Sequence, residues 1–319
     1  MNLFQKLIYP IEELIGKIAT RQEEKIEYNL DKTRRIQKQV NVLQGDINSI
    51  KKAIGRIEAR QLKLLKADKL TDNEFQVYSQ WGEDGIIQFL LHNILVKNKI
   101  FVEFGVQNYT ESNTRFLLIN NNWSGLVMDS SEDYINYIKN DSIYWRYNLK
   151  AVRAFITKDN INELISSNGL KGEIGLLSVD IDGNDYWVWQ AIDVIEPAIV
   201  IVEYNFRFGK DKAVTIPYQE NFVRSEAHYS WIYYGASLKA LYLLAKQKGY
   251  VFVGCNSGGN NAFFVRKDLK PDSIKELTPE EGYVAGQFRE SRDRDGNLSY
   301  LSHQEEEQLL ASLPLVEVE

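Results

Sequence analysis

Tyr250-Val251-Phe252-Val253-Gly254-Cys255-Asn256-Ser257-Gly258-Gly259-Asn260-Asn261-Ala262-Phe263-Phe264-Val265 reads as two strands and a turn. Tyr250–Gly254 and Ala262–Val265 are short runs rich in Val and Phe, the composition of a pleated strand. The Gly/Asn-rich segment from Asn256 to Asn260 is too short for a crossover helix, so the pair should form an antiparallel hairpin. Upstream, strand-length apolar runs recur at Ile100–Phe104, Gly125–Met128, Ala154–Ile156, Gly175–Val179 and Ile199–Val202. Helical stretches separate most of them: Ser112–Asn120, Tyr134–Asn140, Asn160–Ser166 and Trp187–Ala191, with Ser237–Gln247 before the hairpin and Ile86–Leu95 before the first strand. Strands alternating with helices predict an α/β fold with a mostly parallel sheet covered on both faces. In such sheets ligands bind beyond the C-terminal ends of the strands.

Polar residues cluster at those ends. The first strand runs into Glu103-Phe104-Gly105-Val106-Gln107-Asn108. Gly105 permits a tight turn and close approach of a ligand, or is simply a turn glycine. Asp129 ends the second strand, where an acid can accept hydrogen bonds from ribose hydroxyls or cap the helix entering at 130–133. The fourth strand runs into Ser178-Val179-Asp180-Ile181-Asp182-Gly183-Asn184-Asp185. In extended chain Asp180 and Asp182 point to one side, and their carboxylates repel unless a cation or a shared proton relieves them. The fifth strand ends Val202-Glu203-Tyr204-Asn205, with Glu203 and Asn205 again sharing a side. If these strands are neighbours the oxygens converge, a hard-ligand set suited to Mg²⁺, Mn²⁺ or Ca²⁺. The competing explanation, Asp182 and Asn184 capping a helix near Tyr186, leaves Glu203 unexplained. Of three histidines, His92 and His303 read as structural or surface residues. His228 lies in an aromatic stretch after the fifth strand, where it is either a general base near neutral pH or a hydrogen-bonded loop residue. Trp187, Trp189, Tyr218 and Trp231 are candidates either for stacking on a substrate face or for the core.

Residues 11–68 are a separate object without proline. Ile36, Val40, Leu43, Ile47, Ile50, Ile54, Ile57 and Leu64 follow a heptad, with Val40, Ile47 and Ile54 at a and the others at d. Burial against copies of itself would cover this stripe, and isoleucine at both positions leans toward a trimer or tetramer. Packing of a long helix on its own domain is the alternative. Residues 1–18 form a distinct amphipathic piece broken at Pro10, with few basic residues and so only a weak case for membrane-surface contact. The chain therefore divides into 1–70 (amphipathic start and coiled-coil helix), 71–270 (the α/β domain) and 271–319. In the last part Asp295-Gly296 signals a hairpin turn, and His303–Leu310 reads as a short acidic helix over the cleft or a neighbouring subunit.

Composition narrows the classes. In 319 residues, 44% hydrophobic content supplies a core. A net charge of -6 argues against a nucleic-acid surface. The single cysteine, Cys255, excludes intrachain disulfides and a Cys-rich zinc site, so a reducing cytoplasm is the natural compartment, with peripheral membrane association as a variant. No apolar run approaches the ~18 residues of a membrane span, and Glu12, Glu13 and Lys17 interrupt any signal-peptide pattern.

The hairpin topology and the strand-end residues Glu103, Gly105 and Asp129 resemble class I S-adenosylmethionine-dependent methyltransferases over roughly residues 75–268. Tyr78-Ser79-Gln80-Trp81-Gly82-Glu83-Asp84-Gly85 is similar to the lead-in helix of an FkbM-like bacterial subgroup associated with sugar and surface-glycan genes. Tyr234-Gly235-Ala236-Ser237-Leu238 and the Gly254–Phe264 segment resemble that subgroup too. The resemblance implies a Rossmann-like methyltransferase sheet that binds S-adenosylmethionine. Glu103 and Gly105 would hold its methionine part and Asp129 its ribose, with Gln80 and Asn108 also at the cofactor. Metal-dependent natural-product O-methyltransferases place acids after the fourth and fifth strands. That matches Asp180 or Asp182 and Glu203, with Asn205 as a further ligand of a Mg or Mn ion. The implied acceptor is a sugar or glycan-type hydroxyl, its proton taken by His228, Asp182 or Asp185. The departure is Gln107, which stands where the second loop glycine would be. Two rivals are an NAD(P)-dependent oxidoreductase, opposed by the missing glycine-rich loop, and a non-catalytic coiled-coil assembly protein with a degenerate Rossmann-like domain.

Overall fold

A computed structural model of the chain describes residues 3–62, 64 and 69–319, and the side chains of residues 3–9 and 11 lie outside that description. Much of the amphipathic segment expected at 1–18 therefore falls outside the described residues. Helix α1 (Leu3–Gln61) does run through Pro10 rather than breaking there. The chain forms two compact units, one up to Ile54 and one from Gly55 to Glu319.

In the first unit, exposed i,i+4 pairs such as Lys17–Glu13 (2.6 Å) and Arg35–Asp31 (2.8 Å) add a few tenths of a kcal/mol each at most. The heptad residues Ile36, Val40, Leu43, Ile47 and Ile50 are exposed, with Val40 the least at 39%.

The second unit begins with the last turns of α1. Gly55, Ala59 and Leu62 are buried there, and a Cβ on Gly55 would meet Val77 Cγ2 at 2.5 Å. Ile57 and Leu64, on the heptad stripe, stay exposed. After α2 (Glu83–Asn93) come β1 (Ile100–Phe104), α3 (Arg115–Asn121), β2 (Ser124–Asp129), α4 (Glu132–Asn140) and α5 (Ser142–Arg146). The chain continues through β3 (Leu149–Arg153), α6 (Ile161–Ser167), β4 (Gly172–Val179), α7 (Asp185–Ala191) and β5 (Ile195–Glu203). Next are β6 (Val214–Thr215), α8 (Arg224–Ala227), α9 (Leu238–Gln247) and the hairpin β7 (Tyr250–Cys255) and β8 (Asn261–Arg266). The short α10 (Pro279–Gly282), then α11 (His303–Ala311) and β9 (Val316–Glu317), close the chain.

Among the described residues the main sheet has seven strands in the order β3-β2-β1-β4-β5-β8-β7. The first five are mutually parallel, and β8 is antiparallel to both β5 and β7. This is a Rossmann-like sheet, mostly parallel, with the expected terminal antiparallel hairpin. Residues of β1, β4, β5 and β8 are buried on both faces, as a doubly covered parallel sheet requires. Val102, Leu177, Val200 and Phe264 face the core under α6, α7 and α9. Phe101, Leu176, Ile201 and Phe263 face the opposite core under α2 and α3.

The third strand is Leu149–Arg153 rather than the expected Ala154–Ile156. It is an edge strand, so only Leu149 and Ala151 turn inward while Lys150 and Arg153 meet solvent. The apolar triplet that follows lies just past its end. The Asp295-Gly296 turn forms as expected, with Gly296 at φ +82° and a bridge between Arg292 and Leu298. β9 pairs antiparallel with β6. No helix among the described residues is long and apolar enough to cross a membrane.

Candidate active site

The alternation of β-strands decides which side chains reach the cleft. Phe101, Val127, Leu176, Ile201 and Phe263 all lie on the α2/α3 face. Counting in twos, Glu103, Asp129, Ser178, Glu203 and Asn261 fall on that same face, at one rim of the sheet. That rim borders a cleft of about 640 Å³ lined by Gln80, Glu103, Gly105, Asn108, Asp180, Asp182 and Glu203, among others. A smaller pocket of about 180 Å³ shares Gly105, Gln107, Asp180 and Asp182 with it. Asp129 lies there beside the apolar Met128, Phe155, Ile156 and Phe222. Of the residues expected to hold a nucleoside cofactor and a metal, all but Asn205 thus line two depressions that share four residues.

Each acid has a distinct environment. Glu103 is buried and accepts from the Asn113 amide (2.8 Å), the Thr114 amide (3.1 Å) and the Thr114 hydroxyl. Burial pushes its carboxyl up to about 7 despite those donors. Asp129 accepts from the Gln107 amide and from the Ser131 amide, both at 2.8 Å. The helix cap is Ser131, not Asp129, so Asp129 ties the β1 and β2 loops together while lining the pocket. Gly105 sits at φ +67°, and a Cβ there would meet the Asp180 carbonyl oxygen at 1.7 Å. Its lack of a side chain is required by the touching β1 and β4 loops.

Asp180, Asp182 and Glu203 each offer an oxygen such that all three lie within 4.8 Å of one another. Glu203 is buried, and its Oε2 has no hydrogen-bond partner. Burial, then repulsion from Asp180 and Asp182, pushes its carboxyl well above the usual range. The Asp180 carboxyl is raised likewise, first by burial and then by Asp182. Asp182, at φ +54°, is exposed and pairs with Arg224. A buried carboxylate oxygen with no donor, beside two more carboxylates, suits a hard cation.

Three expected site residues take other places. Asp185 is fully buried beneath the turn, accepting from the Ile181 amide (2.8 Å) and the Gly183 amide (2.9 Å), and it does not line the cleft. Asn205 does not share Glu203's side, because β5 ends at Glu203 and the chain turns at once into a 3-10 helix, Phe206–Phe208. Its amide donates to the Ile232 and Tyr234 carbonyls, its oxygen accepts from the Arg207 amide, and the buried side chain lies outside the cleft lining. The His228 Nδ1 is engaged by Ser230, burial and then Arg294 hold the imidazole below its ordinary range, and the ring lies outside the cleft lining. Of the aromatics considered for stacking, Trp189 is core and Trp187 donates to the Ile216 carbonyl; neither they nor Tyr218 and Trp231 line the cleft.

The sequence reading missed Arg224, Tyr234, Asn260, Asn261, Phe288 and Glu290, all of which line the cleft. Arg224 joins Asp182 to Glu290 (2.7 Å) and lies over the Tyr234 ring, 3.8 Å from its centroid. Phe288 and Glu290 come from the C-terminal part, which therefore does contribute to the cleft.

Comparison with protein families and with curated proteins finds no match. Solved structures resemble the chain in fold. One is a Staphylococcus aureus protein assigned as a caffeoyl-CoA O-methyltransferase, at 14% identity and TM-score 0.38, covering 58% of this chain and 82% of that one. Another is an S-adenosylmethionine-dependent methyltransferase from Clostridium acetobutylicum, at 12% identity and TM-score 0.37, covering 57% and 89%. A third is an O-methyltransferase from Bacillus cereus in complex with S-adenosylhomocysteine, at 12% identity and TM-score 0.31, covering 52% and 72%. Likeness of this degree concerns the fold and says nothing about substrate.

Proposed function

We propose that the chain is an S-adenosylmethionine-dependent O-methyltransferase acting on a sugar or glycan-type hydroxyl with the help of a divalent cation. The observation that carries this is that two depressions share Gly105, Gln107, Asp180 and Asp182. One holds a ribose-competent acid, Asp129, beside Met128, Phe155, Ile156 and Phe222, and the other is a polar cleft that adds Glu203 to the two shared aspartates. Met128, Phe155 and Ile156 would flank a flat base, and Glu103 with the loop it ties down would border the methionine part. When bound, the cofactor supplies a sulfonium methyl that is already electrophilic. Asp180, Asp182 and Glu203 would hold the cation, whose charge lowers the pKa of a hydroxyl beside it. The chain's remaining task is to place the hydroxyl in line and take its proton. With His228 and Asp185 outside the cleft lining, that proton falls to the cleft's carboxylates, and within the Asp180, Asp182 and Glu203 cluster Asp182 is the exposed one.

Titration of the full chain with S-adenosylmethionine, S-adenosylhomocysteine, NAD and Mn²⁺ tests the reading. Ligand at about 100 times its Kd adds ~2.7 kcal/mol of stability, a rise in Tm of roughly 5–10 °C for a unit of this size. The two sulfur ligands should give it and NAD should not. Mn²⁺ should bind wild type and be lost in Glu203→Ala. Stabilisation by NAD alone would install the oxidoreductase, and no response to any nucleoside would leave the assembly protein.

The exposed heptad supports self-association through residues 36–57 as a trimer or tetramer. Sedimentation should find that assembly in wild type and monomers in the Ile47→Lys/Ile50→Lys variant; a monomeric wild type would sink this part alone.

A further inference from the structure

Two segments far apart in the chain, Tyr78–Gly85 and Gly254–Phe264, meet at Glu83. This carboxylate is fully buried. Its Oε1 accepts from the side-chain amides of Asn256 (2.7 Å) and Asn261 (2.8 Å), and its Oε2 accepts from the Trp81 backbone amide (2.8 Å). Asn256 spends its own oxygen on the turn, accepting from the amides of Gly259, Asn260 and Asn261. Asn261 does not. With its NH₂ held by Glu83, its Oδ1 has no partner, although the residue is only 4% exposed and lines the cleft. A buried acceptor left unpaired is destabilising, so a donor is wanted there.

An aromatic wall stands in the same cleft. Trp81 and Phe288 are stacked, with centroids 6.2 Å apart and planes 20° from parallel. A Cβ on Gly258 would meet the Trp81 ring at 2.6 Å, so the hairpin turn fits against that ring only as glycine. Six carboxylates line the cleft (Glu103, Glu111, Asp180, Asp182, Glu203 and Glu290) against the single cation Arg224.

We propose that Asn261, Trp81 and Phe288 form the subsite for the methyl acceptor, with Glu83 as the residue that positions both Asn261 and Trp81. Its ligand is a neutral or amino-bearing polyhydroxylated ring, which gives a hydroxyl or ammonium hydrogen to Asn261 Oδ1 and lays an apolar C–H face on the aromatic wall. Phosphorylated and carboxylated sugars are rejected, because Glu111, Asp182 and Glu290 already outnumber Arg224 among the lining residues before any charge on the buried carboxyls is counted. A bound divalent cation would be matched by ionisation of the Asp180 and Glu203 that hold it, and does not change the sign. This rests on the methyltransferase reading and adds to it which acceptor the site admits and where.

Saturation-transfer NMR on the full chain tests it, with methyl β-D-glucopyranoside, D-glucosamine and D-glucose 6-phosphate as probes, each with and without S-adenosylhomocysteine. The first two should show saturation and the phosphate should not. Asn261→Ala should weaken sugar binding about tenfold while Mn²⁺ and S-adenosylhomocysteine affinities stay within twofold. Glu83→Gln should give a smaller loss in the same direction. Trp81→Ala removes a ring that is 41% exposed, so it tests the wall without opening the core. The proposal is overturned by saturation of the phosphate equal to the others, by no signal from any sugar, by an unchanged Asn261→Ala, or by a loss of Mn²⁺ affinity in that variant, which would make Asn261 a metal ligand. Failure of S-adenosylhomocysteine to bind, with the sugar pattern intact, would instead remove the methyltransferase reading.

Discussion

Gly105→Ala should cost roughly 2–5 kcal/mol and abolish binding of S-adenosylhomocysteine. Two penalties add. The residue lies at φ +67°, where a side chain costs ~1–2 kcal/mol. Its new Cβ would also lie 1.7 Å from the Asp180 carbonyl oxygen, a backbone atom that no rotamer change can move. The ends of β1 and β4 must separate, and forced backbone shifts of this kind cost ~1–3 kcal/mol. Binding suffers as well, because Gly105 and Asp180 line both depressions. The control is Gly172→Ala, at φ +71° with no neighbour within 4 Å, which should lose only the same conformational penalty of ~1–2 kcal/mol and keep ligand affinity. Urea unfolding and calorimetric titration of the two variants check this. Equal stabilities for both would show that the β1 and β4 loops part easily and that Gly105 is an ordinary turn glycine.

The contrast between these glycines shows what was legible in the sequence. Glu103, Gly105, Asp129, Asp180 and Glu203 could be found because strands impose a period of two and their ends are marked by a change from apolar to polar residues. That rule stops where the strand stops. Asn205 was placed by extending the alternation two residues past Glu203, into a 3-10 helix that turns its amide toward the 232–234 loop. Asp185 was grouped with the acids of its segment, yet a tight turn folds it back under the amides of Ile181 and Gly183. The third strand was misplaced for a related reason: an edge strand needs only one apolar face, so Leu149 and Ala151 carry less signal than the Ala154–Ile156 triplet beside them. Arg224 opens the short α8, while Phe288 and Glu290 lie on a loop some sixty residues further on, and no periodicity links the two places. Asn261 did have a signal, the Gly/Asn-rich hairpin turn, but that signal reports the turn and not the oxygen left over once the turn is satisfied.

These loop residues also explain how the cleft keeps its outer wall. Glu290 is bound from two sides, by Arg224 at 2.7 Å and by Arg207 at 3.1 Å, and Arg207 in turn holds Glu306 of α11 at 2.9 Å. A chain of alternating charges therefore runs from Asp182 at the carboxylate cluster to the C-terminal helix. Phe288 is carried by the same segment, so its place against Trp81 depends on that chain.

The strongest link is Arg207, and its removal should be the most damaging change to stability in this chain of charges. Its side chain is fully buried, Glu306 is nearly so, and the guanidinium lies 4.3 Å from the Phe206 ring centroid. Arg207→Ala leaves the Glu306 carboxylate without its counter-ion in a site closed to water, and breaking a buried pair in this way costs about 3–5 kcal/mol. The neighbouring Lys212–Glu307 pair sets the scale from the other side. At 3.0 Å it is almost as short, but both partners are about half exposed, so Lys212→Ala should change stability by less than ~1 kcal/mol. Distance alone would rank the two as equals; burial separates them. The double substitution Arg207→Met/Glu306→Leu, which removes both charges and refills the volume, should recover most of the loss, since buried pairs replaced by packed apolar groups are often neutral. Equilibrium denaturation of the single and double variants measures both terms. A single variant as stable as wild type would mean that water reaches Glu306 readily, and the C-terminal helix would then be held by its apolar contacts and not by charge.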